Sequence, residues 1–134
     1  MFRIEVHLVW ITKYRYKVLV GPVGTRTRDL LRRICTEENT EIISGVVSQD
    51  HVHMLVSIDP SISIAKLVQY LKGKSSRKLQ QEFPDLKRKY WGQHLWARGY
   101  FAVSTGNVST EMIKAYIEHH FEESEGEHDT FRVE

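Results

Sequence analysis

The 134-residue sequence has few of the features that mark secreted, membrane-spanning or fibrous proteins. Its one cysteine, Cys35, excludes an internal disulfide framework and fits a reducing cytoplasm. No apolar run approaches the ~18 residues of a transmembrane helix, and the first residues alternate charged and apolar side chains, unlike a signal peptide. Internal repeats and low-complexity tracts are absent. We therefore expect a single cytoplasmic domain that does not bind a membrane.

Acidic residues are scarce in the middle of the chain. Between Ser61 and Val103 the sequence has nine lysines and arginines but two acids, Glu82 and Asp85. From residue 111 to the end the balance reverses, with eight acids against two bases. Clustered Lys and Arg side chains are typical of phosphate-binding surfaces, so the basic middle predicts a site for a polyanion. Two ordinary solvated helix faces would give the same charge pattern, and charge alone does not decide between them.

Hydrophobic periodicity predicts seven elements. The alternation of apolar and polar residues predicts strands over residues 4–12, 40–48, 49–58 and 95–104. Helical spacing of apolar residues predicts helices over residues 25–38, 63–83 and 108–121. This order is that of a ferredoxin-like (RRM-like) βαββαβ fold, an α+β antiparallel sheet with helices on one face, followed by a C-terminal helix.

Several local features accompany this assignment. Thr25 or Thr27 is the expected N-cap of the first helix, after a loop at Gly21-Pro22. Gly73, in the second helix, is a poor helix former, as is the Ser75-Ser76 pair, and we expect them to allow close approach of a backbone or a nucleic-acid strand. Residues 86–93 are expected to form a basic loop. We predict one domain over residues 1–121 and an acidic tail over 122–134 that is poorly ordered unless it docks on a partner.

The predicted third strand carries two histidines one residue apart. Side chains on a strand alternate between faces, so His51 and His53 point the same way, while Val52 and Met54 point to the core. Two imidazoles on one face can converge on a metal ion, although solvated or hydrogen-bonded histidines are an equally good explanation. The first and third strands are neighbours in a ferredoxin-like sheet, which makes His7 a second-shell candidate.

The last predicted helix brings a tyrosine and a histidine to one face. Tyr116 and His120 are four residues apart, and if their face lies against the third strand, His120 completes a three-histidine set. A divalent cation would then polarise a phosphodiester while the Tyr116 phenolate attacks it, leaving a phosphotyrosyl enzyme that keeps the bond energy for rejoining. The alternative is an amphipathic helix whose tyrosine packs in the core and whose histidines face solvent.

Five segments, in this order, resemble those of the insertion-sequence-200-like single-tyrosine transposases of the HUH nuclease superfamily. The histidine pair matches the histidine–hydrophobic–histidine motif of that superfamily. The resemblance covers nearly the whole chain, and the segments are His7–Arg15, Asp50–His53, Lys72–Ser76, Trp96–Phe101 and Tyr116–Ile117.

The resemblance implies a homodimeric enzyme that cuts and rejoins single-stranded DNA at element ends through a 5′-phosphotyrosine and recognises DNA hairpins. It implies dependence on a divalent ion, Mg²⁺ or Mn²⁺, with Tyr116 as the nucleophile and His51 and His53 as metal ligands. The third ligand of the family is commonly a glutamine four residues after the tyrosine, where this chain has His120. An additional imidazole favours manganese or a later transition metal over magnesium.

The same resemblance turns several side chains of the basic middle and the first loop into candidate DNA contacts. They are Lys13, Arg15, Lys72, Lys74, Arg77, Arg98 and Tyr100. Two other functions fit the sequence. One is a non-catalytic module that binds single-stranded DNA hairpins, and the other is a domesticated, transposase-like nuclease that acts on repeated hairpins in a host genome.

Overall fold

The computed structural model describes residues 3–105, 111–112, 114–116 and 131–134. The strands are β1 (Ile4–Ile11), β2 (Glu41–Val47), β3 (His51–Ile58), β4 (Phe101–Ser104) and β5 (Phe131–Val133). The helices are α1 (Gly21–Glu37), α2 (Ile64–Glu82) and α3 (Pro84–Lys89), and a 3₁₀ turn spans Lys13–Arg15. Residues 111–112 and 114–116 are helical. In the described part of the chain, no helix is long and apolar enough to cross a membrane.

One five-stranded sheet organises the molecule, in the order β4-β1-β3-β2-β5. The first four strands pair antiparallel, and this is the predicted ferredoxin-like arrangement, with β1 beside β3 in the centre. β5 adds a fifth, parallel strand beside β2. Eight consecutive residue pairs join β1 to β3, so the position of every side chain on these two strands is set by a continuous register.

The two faces of the sheet have different surroundings. Val6, Leu8 and Trp10 of β1 point into the main core, together with the apolar row of β3 and the buried sides of α1 and α2. The helices therefore cover this face, as predicted. On the other face Val9 is the centre of a smaller cluster with Ile11, Phe101 and Tyr116. The histidines of β1 and β3 belong to this second face, which we call the histidine face.

Two predicted loops are helical. α1 begins at Gly21, with Pro22 in its first turn, so the predicted loop at Gly21-Pro22 is wrong. Proline fits the first helical turn because its missing N–H would have no partner there. The N-cap is Val20, and Thr27 lies inside the helix, where its hydroxyl donates to the carbonyl of Val23. α3 covers residues 84–89, so residues 86–89 of the predicted loop 86–93 are helical, and Pro84 starts this helix in the same way.

The predicted strand over residues 95–104 is interrupted. Its first residues contact the end of β1, with Trp96 bridging Thr12, but the ladder resumes only at Phe101. Gly99 between them has φ +86°, a left-handed conformation that strands do not use and glycine adopts at little cost. The chain therefore leaves the sheet between residues 97 and 100 and rejoins it in β4.

The end of the acidic tail is part of the sheet, so the prediction of a poorly ordered tail is wrong for its last residues. β5 pairs with residues 45–47 of β2, and Phe131 is buried. A side chain on Gly45 would lie 2.9 Å from the Phe131 ring, and one on Gly24 of α1 would lie 2.7 Å from Val133. These two glycines leave the space that β5 occupies.

Candidate active site and nucleic-acid interface

The histidine face brings three histidines together on the two central strands. Directly paired residues share a face, and the register pairs Val9 with His53, Ile11 with His51 and His7 with Leu55. Nδ1 of His7 lies 3.2 Å from Nε2 of His53, and the two ring centroids are 5.4 Å apart. The predicted proximity of His7 to the histidine pair is therefore observed.

His51 is held by its neighbour in sequence. Its ring is buried, and its Nδ1 lies 2.9 Å from Oδ1 of Asp50, which is also buried. A carboxylate on one imidazole nitrogen fixes the tautomer and the ring orientation, and it directs any metal to the other nitrogen, Nε2. Sequence reasoning did not assign a role to Asp50. The signal available was its position next to a candidate ligand, but the contact depends on the conformation of the β2–β3 turn.

Burial favours the neutral form of His7 and His53. The pKa of His53 is lowered to about 4 by burial first, and then by the neighbouring His7 and His51. Burial also lowers the pKa of His7, against an opposing effect of Glu5. Neutral imidazole is the form that binds a metal ion, so at neutral pH both side chains are in a metal-binding state.

Tyr116 lies on the histidine face. Its ring packs on Phe101 of β4, with centroids 5.2 Å apart, and joins the cluster around Val9 and Ile11. Phe101 and His53 both pair with Val9, from opposite sides, so the tyrosine sits over the strands that carry the histidines. Burial raises the pKa of the Tyr116 phenol. The helix surface that bears Tyr116 thus faces the sheet, as the three-histidine hypothesis requires.

His120 lies outside the described residues, as do 117–119, and its role as third metal ligand stays a prediction. Within the part of the chain that the structure describes, no group of three His, Cys, Asp or Glu side chains is arranged to hold a metal ion. The pair formed by His7 and His53 does fit: two nitrogen ligands at about 2.1 Å from one ion lie about 3.0 to 3.4 Å apart, depending on geometry. Their 3.2 Å separation falls in that range.

A second candidate site lies in the helical layer, on the other side of the sheet. It is a cavity of about 800 Å³ between α2 and the segment that precedes β4, and we call it the basic groove. Lys13, Lys72, Arg77 and Arg98, four of the predicted DNA contacts, line it. The lining also includes Lys87 and three glutamines, which were not predicted as DNA contacts. No acidic side chain is among the described residues that line the groove.

The other predicted contacts lie elsewhere. Nζ of Lys74 is 3.6 Å from the Glu37 carboxylate and lies over the ring of Tyr70. Arg15 and Tyr100 are exposed, outside the lining of the groove. Lys74 therefore has an acidic partner within its own chain, and the prediction that it contacts a phosphate is weakened.

Lys72 has a structural role in addition to any binding role. Its ammonium donates to the carbonyls of Ala97 and Gly99, both at 2.8 Å, and burial lowers its pKa. It thereby satisfies the carbonyls of the segment that leaves the sheet. The hydroxyl of Ser75 accepts a hydrogen bond from Trp96, so the unusual polar residues of α2 hold the wall of the groove. Among the described residues, apart from its neighbours in the same helix, no atom lies within 4 Å of a Cβ built on Gly73, so no other described backbone approaches it there.

Trp91 is an exposed aromatic residue that sequence reasoning missed. Its side chain is 87% exposed, it has φ +56°, and it precedes Gly92, which lines the groove. Non-glycine residues seldom adopt this conformation, and large exposed aromatic side chains are uncommon. The available signal was the run Tyr90-Trp91-Gly92 directly after three consecutive basic residues, because exposed aromatic side chains beside basic ones suit stacked nucleic-acid bases.

The ferredoxin-like sheet, the histidine pair on the face opposite α1 and α2, and the tyrosine packed on that face are the features of a protein of the HUH nuclease class. The sequence profile described as "Transposase IS200 like" matches residues 1–120. The chain belongs to this family of IS200-like transposases.

Individual relatives agree with this assignment. The chain is 39% identical to the ISDra2 transposase TnpA of Deinococcus radiodurans over 118 residues, 88% of this chain and 84% of the relative. It is 39% identical to the IS200 transposase of Salmonella typhimurium over 119 residues, 89% and 78% of the two chains.

Two solved structures are similar to the fold. The crystal structure of a transposase from Deinococcus radiodurans R1 superimposes with a TM-score of 0.80 at 37% identity, covering 90% of this chain and 93% of the other. A REP-associated tyrosine transposase bound to a REP hairpin has a TM-score of 0.57 at 11% identity, covering 86% and 62%. The second likeness concerns the fold alone.

Proposed function

We propose that this transposase cleaves and rejoins single-stranded DNA at element ends through a 5′-phosphotyrosine formed on Tyr116. The observation that carries the proposal is the position of the Tyr116 phenol on the same sheet face as His7, His51 and His53. A nucleophile and a set of imidazoles that share one face can act on the same phosphodiester.

The chemistry conserves the energy of the phosphodiester. The phenol oxygen of Tyr116 attacks phosphorus, the new bond is O–P, and the bond that breaks is P–O3′, so the leaving strand ends in a 3′-hydroxyl that takes up a proton. A second 3′-hydroxyl reverses the exchange and restores the phenol. A divalent ion held by His51, His53 and His120 would polarise the phosphoryl oxygen and stabilise the charge of the transition state.

The protein has to lower the barrier to deprotonating Tyr116, because burial raises the pKa of this phenol. Phe101 fixes the plane of the ring by packing on it. Asp50 fixes the orientation of His51 and leaves its Nε2 as the nitrogen that can reach an ion. These contacts hold the reacting groups in place before the substrate binds. Such positioning in advance accounts for much of the rate acceleration at sites of this kind.

We further propose that the basic groove binds the DNA hairpin. Its lysines and arginines suit phosphates, and Trp91 at its edge suits an unpaired base. A protein of similar fold was solved with a REP hairpin bound, which supports hairpin binding by this fold without locating the surface. The groove and the histidine face lie on opposite sides of the sheet, so recognition and cleavage would use separate surfaces. We expect the functional unit to be a homodimer.

The experiment that tests the proposal compares Tyr116→Phe with the matched control Tyr70→Phe. Each protein is incubated with single-stranded DNA that carries the hairpins flanking its own locus, plus Mn²⁺ or Mg²⁺, and separated under denaturing conditions. We expect a covalent protein–DNA adduct with the wild type and the control and none with Tyr116→Phe, whose binding of the hairpin survives. Removal of one hydroxyl typically changes the free energy of unfolding by about 0.5–1.5 kcal/mol, so we expect Tyr116→Phe to fold.

Two outcomes would contradict the proposal. An adduct formed by Tyr116→Phe would mean that another residue is the nucleophile. A wild-type protein that binds hairpins but never forms the adduct with either ion would be a non-catalytic binding module.

A further inference from the structure

His7 is closer to His53 than a residue that only supports the site needs to be. The contact joins Nδ1 of one ring to Nε2 of the other across two neighbouring strands, at 3.2 Å. The rings are tilted by 37° and their centroids are 5.4 Å apart, so they are not stacked. Each ring therefore meets the other through a nitrogen atom, which is the atom that binds metals.

The separation of the two nitrogens matches that of two ligands on one ion. With metal–nitrogen bonds of about 2.1 Å, adjacent ligands lie about 3.0 Å apart around an octahedral ion and about 3.4 Å apart around a tetrahedral one. A hydrogen bond between two imidazoles has a similar length, and it requires a proton on one of the two nitrogens. A divalent ion can take the place of that proton, because a neutral imidazole can carry its one proton on the other ring nitrogen and bind the ion through the nitrogen that is left unprotonated.

The backbone under this pair needs no rearrangement. β1 and β3 are paired without interruption in the centre of the sheet, and both histidines lie within that paired region. Each side chain is half-buried, whereas His51 is fully buried against Asp50. The His7–His53 pair on adjacent strands thus offers an ion two nitrogen ligands that are more accessible than those of the His51–His53 pair along β3.

We propose that His7 is a direct metal ligand, and that its Nδ1 and the Nε2 of His53 bind the same divalent ion in adjacent positions. This inference rests on the proposed function because it concerns the metal of the same site. It changes the role of His7 from supporting a ligand to being one, and it gives the site a ligand on β1 that does not depend on the last helix.

The test uses the full-length protein labelled with ¹⁵N-histidine, with zinc as a diamagnetic probe and no DNA. One equivalent of Zn²⁺ should shift the nitrogen resonances of both His7 Nδ1 and His53 Nε2 to values of metal-bound imidazole. If His53 Nε2 shifts while His7 Nδ1 keeps its metal-free resonance, the inference is wrong. It is equally wrong if neither nitrogen shifts at saturating zinc.

Variants give a second readout. His7→Ala should weaken zinc and manganese binding by at least about 10-fold, the range seen when groups around a metal site are removed, whereas His94→Ala should leave both affinities unchanged. An unchanged affinity in a folded His7→Ala protein would overturn the inference. Failure of the proposed function has a different signature: no Tyr116 adduct forms with DNA, while the zinc-induced shifts of His7 and His53 are still observed.

Discussion

At His53, burial and two neighbouring imidazoles all oppose protonation. Its pKa of about 4 is well below the ordinary value of 6.5, and His7 is shifted in the same direction. Such a shift costs stability in acid, because the unfolded chain gains a proton that the folded chain excludes. The shift therefore makes the folded protein less stable at low pH.

The lowered pKa of His53 predicts that the folded protein loses stability in acid. Above about pH 6.5 the imidazole is neutral in both states, and as pH falls from 6.5 toward 4 only the unfolded state is protonated, so the free energy of unfolding falls by up to about 3 kcal/mol. Urea unfolding at a series of pH values, in EDTA to remove metal, should show a shallower slope for His53→Gln than for the wild type. Parallel curves for the two proteins would contradict the shift.

The histidines show which side-chain positions can be predicted from the sequence and which contacts cannot. Alternation on a strand was enough to place His51 and His53 on one face, and the order of elements was enough to bring His7 beside them. The contact between Asp50 and His51 was not predictable, because it depends on how the β2–β3 turn directs one side chain. The 3.2 Å contact between His7 and His53 likewise depends on rotamers that no pattern encodes.

β5 shows how an element can depend on the absence of side chains elsewhere. It docks beside β2 and against α1 at positions where Gly45 and Gly24 leave room. A Cβ on Gly24 would lie 2.7 Å from Val133 and 2.9 Å from the backbone carbonyl of Leu19, and the carbonyl cannot move aside easily.

The two helical glycines give a matched pair of substitutions. Gly73→Ala, in open space in α2, should stabilise the protein by up to about 1 kcal/mol because alanine is the better helix former. Gly24→Ala makes the same change in α1 but should destabilise it by on the order of 1–2 kcal/mol, since the overlap outweighs the helical gain. Thermal unfolding of both variants measures the difference. Equal stabilisation by both would mean that β5 does not pack against α1.

Elements that follow a clear period were predicted well, and those set by tertiary contacts were not. β2, β3 and α2 agree with the prediction to within a few residues. α1 starts earlier because Gly21-Pro22 begins a helix where the dipeptide usually marks a turn. β4 is shorter because Gly99 takes the chain out of the ladder and Lys72 holds it there, a contact made from the opposite layer. β5 is short and lies in an acidic segment, so its pairing could not be read from local pattern.

In the whole molecule, the basic residues of the middle of the sequence are separated in space from the histidines and Tyr116. The basic middle of the chain forms α2, α3 and the wall of the basic groove, all on the helical side of the sheet. The histidines and Tyr116 occupy the opposite side. The sequence predicted a polyanion site and a metal site, and the fold places most of the described residues named for the two predictions on opposite sides of the sheet.

The groove predicts a specific dependence of DNA binding on salt. Arg77→Gln should reduce the slope of log affinity against log salt by about 0.7 to 0.9, the values for one phosphate contact to a single strand and to a duplex stem. Lys66→Gln removes the same charge from α2 outside the groove and should leave the slope unchanged. Lys72 is unsuitable for this test because its ammonium also holds two backbone carbonyls. If the slopes of Arg77→Gln and Lys66→Gln are equal, the groove is not the DNA site.

The central claim is that Tyr116 becomes covalently joined to DNA, and the most direct measurement locates the bond. The wild-type adduct is digested with nuclease and protease, and the peptide that carries a nucleotide remnant is sequenced by mass spectrometry. We predict a remnant attached through its 5′-phosphate to the Tyr116 side chain. A remnant on any other residue, or one attached through a 3′-phosphate, would contradict the account.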